Sequence, residues 1–446
     1  KNGLATIRSY KNGSKLVAFF GRVNLNYNNI AFLSASLRRE GSTQFGENNK
    51  WGDFPAVSGG VDLSRIFTIP TVTNLKLRGS YGVTGSLPPV PYASLDILGF
   101  SGPSYYIGFG QYASSSLPTQ NANPNLKWET KNEVDVGLDF SLLHNRLTGT
   151  FDYYNRTTKD LIFYALVPVP PNPAPNTYLN IGTLKSNGVE LSISFDVLKS
   201  KNFVWTTGGN FSTYHVKLAE LNIDAKYVGA TNLGTPGQEN TQITRAVAGE
   251  DIGILWGPIY KGVDKDGKYL FSDSSGNPTY DATYLTKIGN GLPNFEFGWT
   301  NSFRYKNFDL NFFLRGSIGH DLINTFRAFY ENPNVATSYN IVKTKFFNPD
   351  ITDGQIFSSL FVEKASFVKL DNATLGYNFP LSKNGVLKNI RAYISAQNLF
   401  VITDYTGADP EVRYADGTNV LAPGVDRRET WVLTRTFTFG VNLDIK

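Results

Sequence analysis

The final stretch of the chain, residues 436–446, alternates without a break. Phe437, Phe439, Val441, Leu443 and Ile445 take one side, and Thr438, Gly440, Asn442, Asp444 and Lys446 the other. Successive side chains of a strand point to opposite faces, so this run predicts a strand with one apolar and one polar face. The pattern recurs. Val134, Val136, Leu138 and Phe140 alternate with Asp135, Gly137 and Asp139; Val189, Leu191, Ile193 and Phe195 with Glu190, Ser192, Ser194 and Asp196. Phe308, Leu310, Phe312 and Leu314 alternate with Asp309, Asn311, Phe313 and Arg315. Segments of about ten alternating residues separated by turns predict the wall of a transmembrane β-barrel, lipid outside and water inside.

Strand candidates, about thirteen in all by alternation and bounding turns, begin near Val17, Ile30, Val57, Leu75, Glu133, Leu147, Gly188, Phe203, Phe295, Phe308, Phe367, Ile390 and Arg435. Their connections alternate in length. Short ones fall at residues 28–29, 143–145, 199–202 and 305–307, with somewhat longer ones at 66–73 and 381–389. Long ones fall at residues 41–54, 86–127, 159–179, 215–293, 317–364 and 403–434. An outer-membrane barrel has short periplasmic turns and long extracellular loops, and a soluble sandwich has no reason to alternate this way. The last strand then runs inward. An odd number of strands leaves the wall open, and open edges do not stand in lipid, so further N-terminal strands are expected to close it.

Composition narrows the function. No run of apolar residues is long enough for a transmembrane helix. Aromatics make up 14%, which suits girdles at two membrane interfaces and equally a carbohydrate-binding surface. Without cysteine there is no disulfide framework and no thiolate metal site. A net charge of +5 with both signs intermingled gives nucleic-acid binding no support. The chain starts at Lys1, holds no methionine and shows no signal peptide, which reads as a processed or incomplete product.

Residues 34–51, SASLRREGSTQFGENNKW, followed by FPAVS at 54–58, resemble the R-x-D-G-S-S-x-F-G-x-x-N-x-W … F-P-S signature of SusC/RagA-type TonB-dependent outer-membrane transporters. Glu40, Thr43 and Ala56 depart from it conservatively. Further resemblance lies in LKLRGSYGVTG (75–85), NPNLKWET (123–130), GTLKSNGVEL (182–191), YKNFDLNFFLRG (305–316), ASFVKLDNATLGY (365–377), SAQNLFV (395–401) and YTGADPEV (405–412). The set follows the family's order along nearly the whole chain. The chain end, Ile445-Lys446, departs from the aromatic on which outer-membrane strands often finish.

The resemblance implies an all-β, antiparallel transmembrane barrel, of which residues 1–446 supply the C-terminal part. The whole is expected to have 22 strands around a plug, a size found among plugged transporters. The implied activity is active import of an oligosaccharide or peptide nutrient across the outer membrane, with no enzymatic step. The implied partners are a SusD-like surface lipoprotein as lid, TonB through a plug region outside this chain, the remaining N-terminal strands and outer-membrane lipid. Two transporter–lid pairs are expected to dimerise. The rival class is a soluble or surface all-β ligand-binding or adhesion protein, which detergent dependence separates.

Candidate chemistry is sparse. Asp264, Asp266 and Asp273 suggest calcium, but the EF-hand loop needs Gly and Glu where Tyr269 and Ser275 stand, so hairpin-tip turns are expected. His144, His215 and His320 share no metal-ligand spacing, and no nucleophile elbow, phosphate loop or zinc helix appears. No catalytic residue, metal or cofactor is expected. Asp135 and Asp139 are expected as solvated lumen charges, and the proline-rich residues 167–175 as a stiff extracellular loop. The candidate ligand-binding residues are loop aromatics: Tyr105, Tyr106 and Tyr112 in one long loop, Trp256 and Tyr260 in the longest. Their faces stack on sugar rings and peptide side chains while Tyr and Trp keep a polar handle. Within the longest loop, residues 253–262 have strand-like spacing and should be ordered, at the extracellular mouth against the lid.

Overall fold

The computed structural model describes residues 11–99, 104–108, 111–114, 117–223, 227–381, 386–411, 423–428 and 432–445. Its main feature is one antiparallel sheet whose thirteen principal strands follow chain order, each hydrogen-bonded to the next. They are β1 (Leu16–Tyr27), β2 (Ala31–Ser42), β3 (Trp51–Asp62), β4 (Val72–Ser86), β5 (Glu129–Leu142), β6 (Leu147–Lys159) and β7 (Thr183–Lys199). The remainder are β8 (Phe203–Glu220), β9 (Phe295–Tyr305), β10 (Phe308–Ile318), β11 (Phe367–Asn378), β12 (Leu387–Thr403) and β13 (Thr436–Ile445). Every expected strand start falls in or beside one of them. β1 and β13 do not pair with each other, so the sheet is an open wall.

Register sorts the wall into two faces. Directly opposed residues form one row across Tyr27, Ala31, Val61, Leu77, Leu138, Phe151, Leu191, Phe211, Phe297, Gly316, Val368 and Ile402. One residue along, on the opposite face, runs Asn26, Phe32, Gly60, Arg78, Gly137, Asp152, Glu190, Ser212, Glu296, Ser317 and Phe367. The first row is the lipid face and the second the lumen face. The end strand agrees: Phe439 is 78% exposed, with Phe437, Val441, Leu443 and Ile445 beside it on the apolar side. Indole N–H groups on the lipid face find partners within the wall: Trp205 donates to Asn301 and Trp299 to Thr207.

Short turns close the sheet at one end. In the first, Asn28 and Asn29 both take positive φ and Ile30 N donates to Tyr27 O, the two-residue hairpin form that matches strand twist. Aromatics ring this end, with Phe203 beside Phe303 and Tyr305, and Phe308 tilted against Tyr377. Such rings settle at the headgroup level.

The strands are longer than the alternation indicates. β8 continues past His215 to Glu220, β7 starts at Thr183 rather than near Gly188, and β3 at Trp51 rather than near Val57. Beyond the bilayer both faces of a strand meet water or protein, so the period-2 contrast fades while the ladder persists.

The long connections form an ordered crown. Among the described residues, the only buried apolar side chains inside wall strands are Phe54, Leu218 and Phe367, each toward its strand's long-loop end. The rest lie in loops. Leu233, Ile243 and Leu255 of the 221–294 connection pack with Ile323, Ala328, Phe357 and Phe361 of 319–366 and with Val425 of 404–435. The 253–262 stretch is ordered as expected, as strands Ile254–Gly257 and Tyr260–Val263. The proline-rich segment forms the turn of a hairpin, Ile162–Leu166 paired with Asn176–Asn180. Asp264 also behaves as a hairpin-tip residue, its carboxylate accepting from Asp266 N and Lys268 N at 2.9 and 2.8 Å.

Candidate functional site

Among the ion pairs of the lumen face are three clusters built on Arg78, Arg391 and Arg315. Arg78 on β4 reaches Asp139 (2.9 Å) and Asp135 (3.5 Å) on β5 and Asp152 (2.5 Å) on β6. Gly137 makes this possible: it lies directly opposite both Arg78 and Asp152, and a Cβ there would stand 2.5 Å from the guanidinium carbon. Arg391 on β12 grips Asp309 on β10 through two nitrogens at 3.0 and 2.5 Å, a bidentate pair. Arg315 on β10 bonds Asp371 of β11 at 3.2 Å and both carboxylate oxygens of Glu411, one at 2.6 Å. Between the first and third clusters lies a hollow of about 460 Å³ lined by Asp152, Glu190, Ser192, Asn210, Glu296 and Phe313. Glu190 has no ion-pair partner among the described residues. Acceptors, hydroxyls and an amide so arranged can hydrate and orient a hydrophilic solute.

Glu411 ties the wall to the crown. Burial alone would raise its carboxyl pKa, but the Arg315 guanidinium and Lys369 at 3.6 Å hold it below the usual carboxylate range. The same segment is fixed twice more: Thr406 donates from N and Oγ1 to Glu363, and Tyr405 Oη to Asp426 at 2.6 Å. Burial against the Asp426 carboxylate pushes the Tyr405 phenol far up, so it stays protonated and donates. Beneath lies Arg327, 1% exposed, on helix α1 (Thr325–Tyr330). Its guanidinium bonds Glu331 at 2.7 Å and Glu363 at 2.8 Å and sits 4.2 Å from the Phe346 ring centroid.

The candidate aromatics fall into separate places. Tyr105 and Tyr106 lie on strand Ser104–Gly108 and Tyr112 on Gln111–Ser114, with Tyr106 opposite Tyr112 across that hairpin. Trp256 stacks under the Arg245 guanidinium, 4.3 Å from its ring centroid, with Tyr227 at 5.1 Å on Arg245 as well. Tyr260 belongs to another cluster, edge-on to Tyr269 at 6.1 Å, and burial raises its phenol pKa. The structure thus does not gather Trp256 and Tyr260 into one pocket. His144 sits in a short turn, His215 faces Asp251 at 3.2 Å, and buried His320 contacts Pro410 O at 3.2 Å. Sequence reasoning missed Arg78, Arg315 and Glu411. The parity of the alternation carried the signal for the arginines, since it puts Arg78 and Arg315 on the polar face of their strands.

The family motifs meet in space at two points. Phe45 and Phe54 close on Trp128 with ring centroids 4.4 and 5.2 Å away, joining three motif segments in one small core with Leu126. Arg315, Lys369 and Glu411 join three others. A family model described as "TonB dependent receptor-like, beta-barrel" matches residues 2–399. The chain belongs to the TonB-dependent receptor β-barrel family. TonB-dependent receptor P3 of Formosa agariphila is 34% identical over 98% of this chain and 46% of its own length. TonB-dependent receptor SusC of Bacteroides thetaiotaomicron is 31% identical over 91% of this chain and 42% of its own. The structure titled as the RagAB peptide transporter superposes with a TM-score of 0.80 at 24% identity, covering 96% of this chain and 48% of that one. At that identity the likeness is one of fold. The chain spans less than half the length of the curated relatives it matches. Its wall is that of an outer-membrane receptor barrel.

Proposed function

We propose that this chain is the C-terminal wall and crown of a SusC/RagA-type TonB-dependent importer that carries an oligosaccharide or peptide nutrient across the outer membrane. The observation that carries the reading is an ordered loop crown tied by Glu411 to a polar, ion-lined lumen. Kinship to SusC and to the RagAB peptide transporter supports import of glycans or peptides. In this reading N-terminal strands beyond the chain complete a 22-stranded barrel around a plug, and TonB pulls on that plug from below. A SusD-like lipoprotein caps the crown, and two such pairs dimerise. Tyr105, Tyr106, Tyr112, Trp256 and Tyr260 are the proposed contacts for cargo or lid.

The test is uptake by a strain lacking the full-length protein, fed single oligosaccharide or peptide fractions with and without a protonophore. Loss of uptake of one fraction, with the same loss in protonophore-treated wild type, supports the proposal. Undiminished uptake in the deletion strain, or protonophore-insensitive uptake, refutes it. Native-membrane purification of the tagged protein should bring down one lipoprotein.

A further inference from the structure

On the lipid face of β6, β7 and β8, three rows step away from the apolar band. Tyr153, Val189 and Thr213 stand opposite one another, then Asn155, Asn187 and His215, then Thr157, Lys185 and Lys217. The odd-numbered residues of all three strands share the face of Phe151, Leu191 and Phe211, and the register between them is unbroken from that row to this one. The two lysines are therefore on the outside of the wall. Along β7, Val189 to Lys185 covers about 13 Å at the rise of an extended strand. With the tilt of a barrel strand that is roughly 10 Å along the membrane normal. The lysines stand at headgroup height, on the side of the long loops.

Directly opposed residues on one face have their Cβ atoms about 5 Å apart, and like charges so placed destabilise the sheet. Neither lysine has an ion-pair partner among the described residues. The carboxylate of Asp251 is opposite Lys217 on the short strand Glu250–Asp251, and it pairs with His215 at 3.2 Å. Lys185 is exposed and Lys217 half-buried. Two ammonium groups and an imidazole face one carboxylate. A dianion set between the lysines would turn their repulsion into attraction, and the apolar band directly below would hold the acyl chains of the molecule that carries it.

We propose that Lys185, Lys217 and Asn187 form a binding site for the phosphorylated headgroup of an outer-leaflet lipid, seated against Val189 and Tyr153. The site is outside the lumen and does not depend on what the barrel carries.

The experiment uses the full-length protein in neutral maltoside micelles and follows heat-modifiable gel mobility. It compares wild type, K185Q/K217Q, and K201Q at the opposite end as control. Titrated lipid A should raise the unfolding temperature of wild type and K201Q. The double variant should need at least tenfold more lipid for the same rise. In lipid-free micelles the double variant should unfold no lower than wild type, because the Lys185–Lys217 repulsion it loses outweighs the attraction to Asp251, whose carboxylate stays paired with His215. Equal lipid A response of wild type and double variant overturns the proposal, as does no response in wild type. Lower unfolding of the double variant without lipid removes its premise. If inorganic phosphate alone reproduces the lipid A rise, the site binds a free anion and the lipid assignment fails.

Discussion

Replacing Arg327 by Met should open the crown and leave the wall intact. The guanidinium is buried and bonds Glu331, Glu363 and the Leu360 carbonyl, with Phe346 and Phe361 against its faces. Breaking a buried ion pair from one side typically costs 3–5 kcal/mol, because the surviving charge is left uncompensated. Here the two carboxylates differ. Glu363 keeps donors from Asn324 and from Thr406 N and Oγ1. Among the described residues Glu331 keeps only the Thr344 hydroxyl. Most of the penalty therefore falls on Glu331, and a total near the lower bound, about 3 kcal/mol, follows. At 1.4 kcal/mol per decade the crown should open about a hundredfold more often.

Limited proteolysis in detergent measures this, since cleavage follows the open population when closing outpaces cleavage. Cuts within residues 319–366 should accelerate about a hundredfold, while heat-modifiable mobility of the barrel stays at the wild-type value. Adding Glu331→Leu to Arg327→Met should recover most of the protection, because a buried pair replaced whole by apolar groups is often neutral. Unchanged cleavage in the single variant, or a double variant no better protected than the single, would refute the reasoning.

Three further outcomes are expected. Phe151→Arg, in the apolar row of β6, should destabilise the barrel by roughly 2–4 kcal/mol, and its lumen neighbour Thr150→Arg far less; equal unfolding temperatures for the pair would contradict the facing. Cysteines at Gly237 or Ser275 should react with an impermeant thiol reagent on intact cells and those at Asn145 or Lys201 should not; outside labelling of the latter would reverse the topology. Glu411 has its folded pKa lowered, so it stabilises docking of residues 404–411 above the ordinary carboxylate range, and that contribution is lost as pH falls through the lowered value. Hydrogen exchange of that segment should therefore rise in acid in wild type and be fast and pH-flat, after correction for intrinsic rates, in Glu411→Gln.

The wall was legible because one of its faces meets lipid. Where a strand crosses the bilayer, Phe151 and Asp152 cannot exchange places, so period-2 contrast marks both the strand and its facing. That constraint ends at the headgroups. Residues Leu184 to Asn187 and His215 to Leu218 are paired without a break but carry Asn187, His215, Lys185 and Lys217 where the wall below is apolar, so their strand character was invisible. The crown was illegible for another reason. Leu233, Phe357 and Val425 share one core across three loops, and no local pattern announces a contact between residues so distant in sequence. Trp256 was singled out from its type; that Arg245 stacks on it depends on a register between two short loop strands, with one bulge nearby.

The two parts are held together by different physics, and this bears on how such a protein can move. The wall has almost no buried apolar side chains of its own, and its stability comes from the hydrogen-bonded ladder in lipid. The crown has a conventional core and a buried ion network. They join through apolar clusters at the strand ends, around Phe54 and Leu218, and through the polar segment Tyr405 to Glu411, fixed to Asp426 and Glu363 in the crown and to Arg315 in the lumen. At the Arg315–Glu411 pair one side chain reaches both the crown and the 460 Å³ hollow. Charge pairs are directional and partly solvated there, so they can break and re-form while the ladder beneath stays closed.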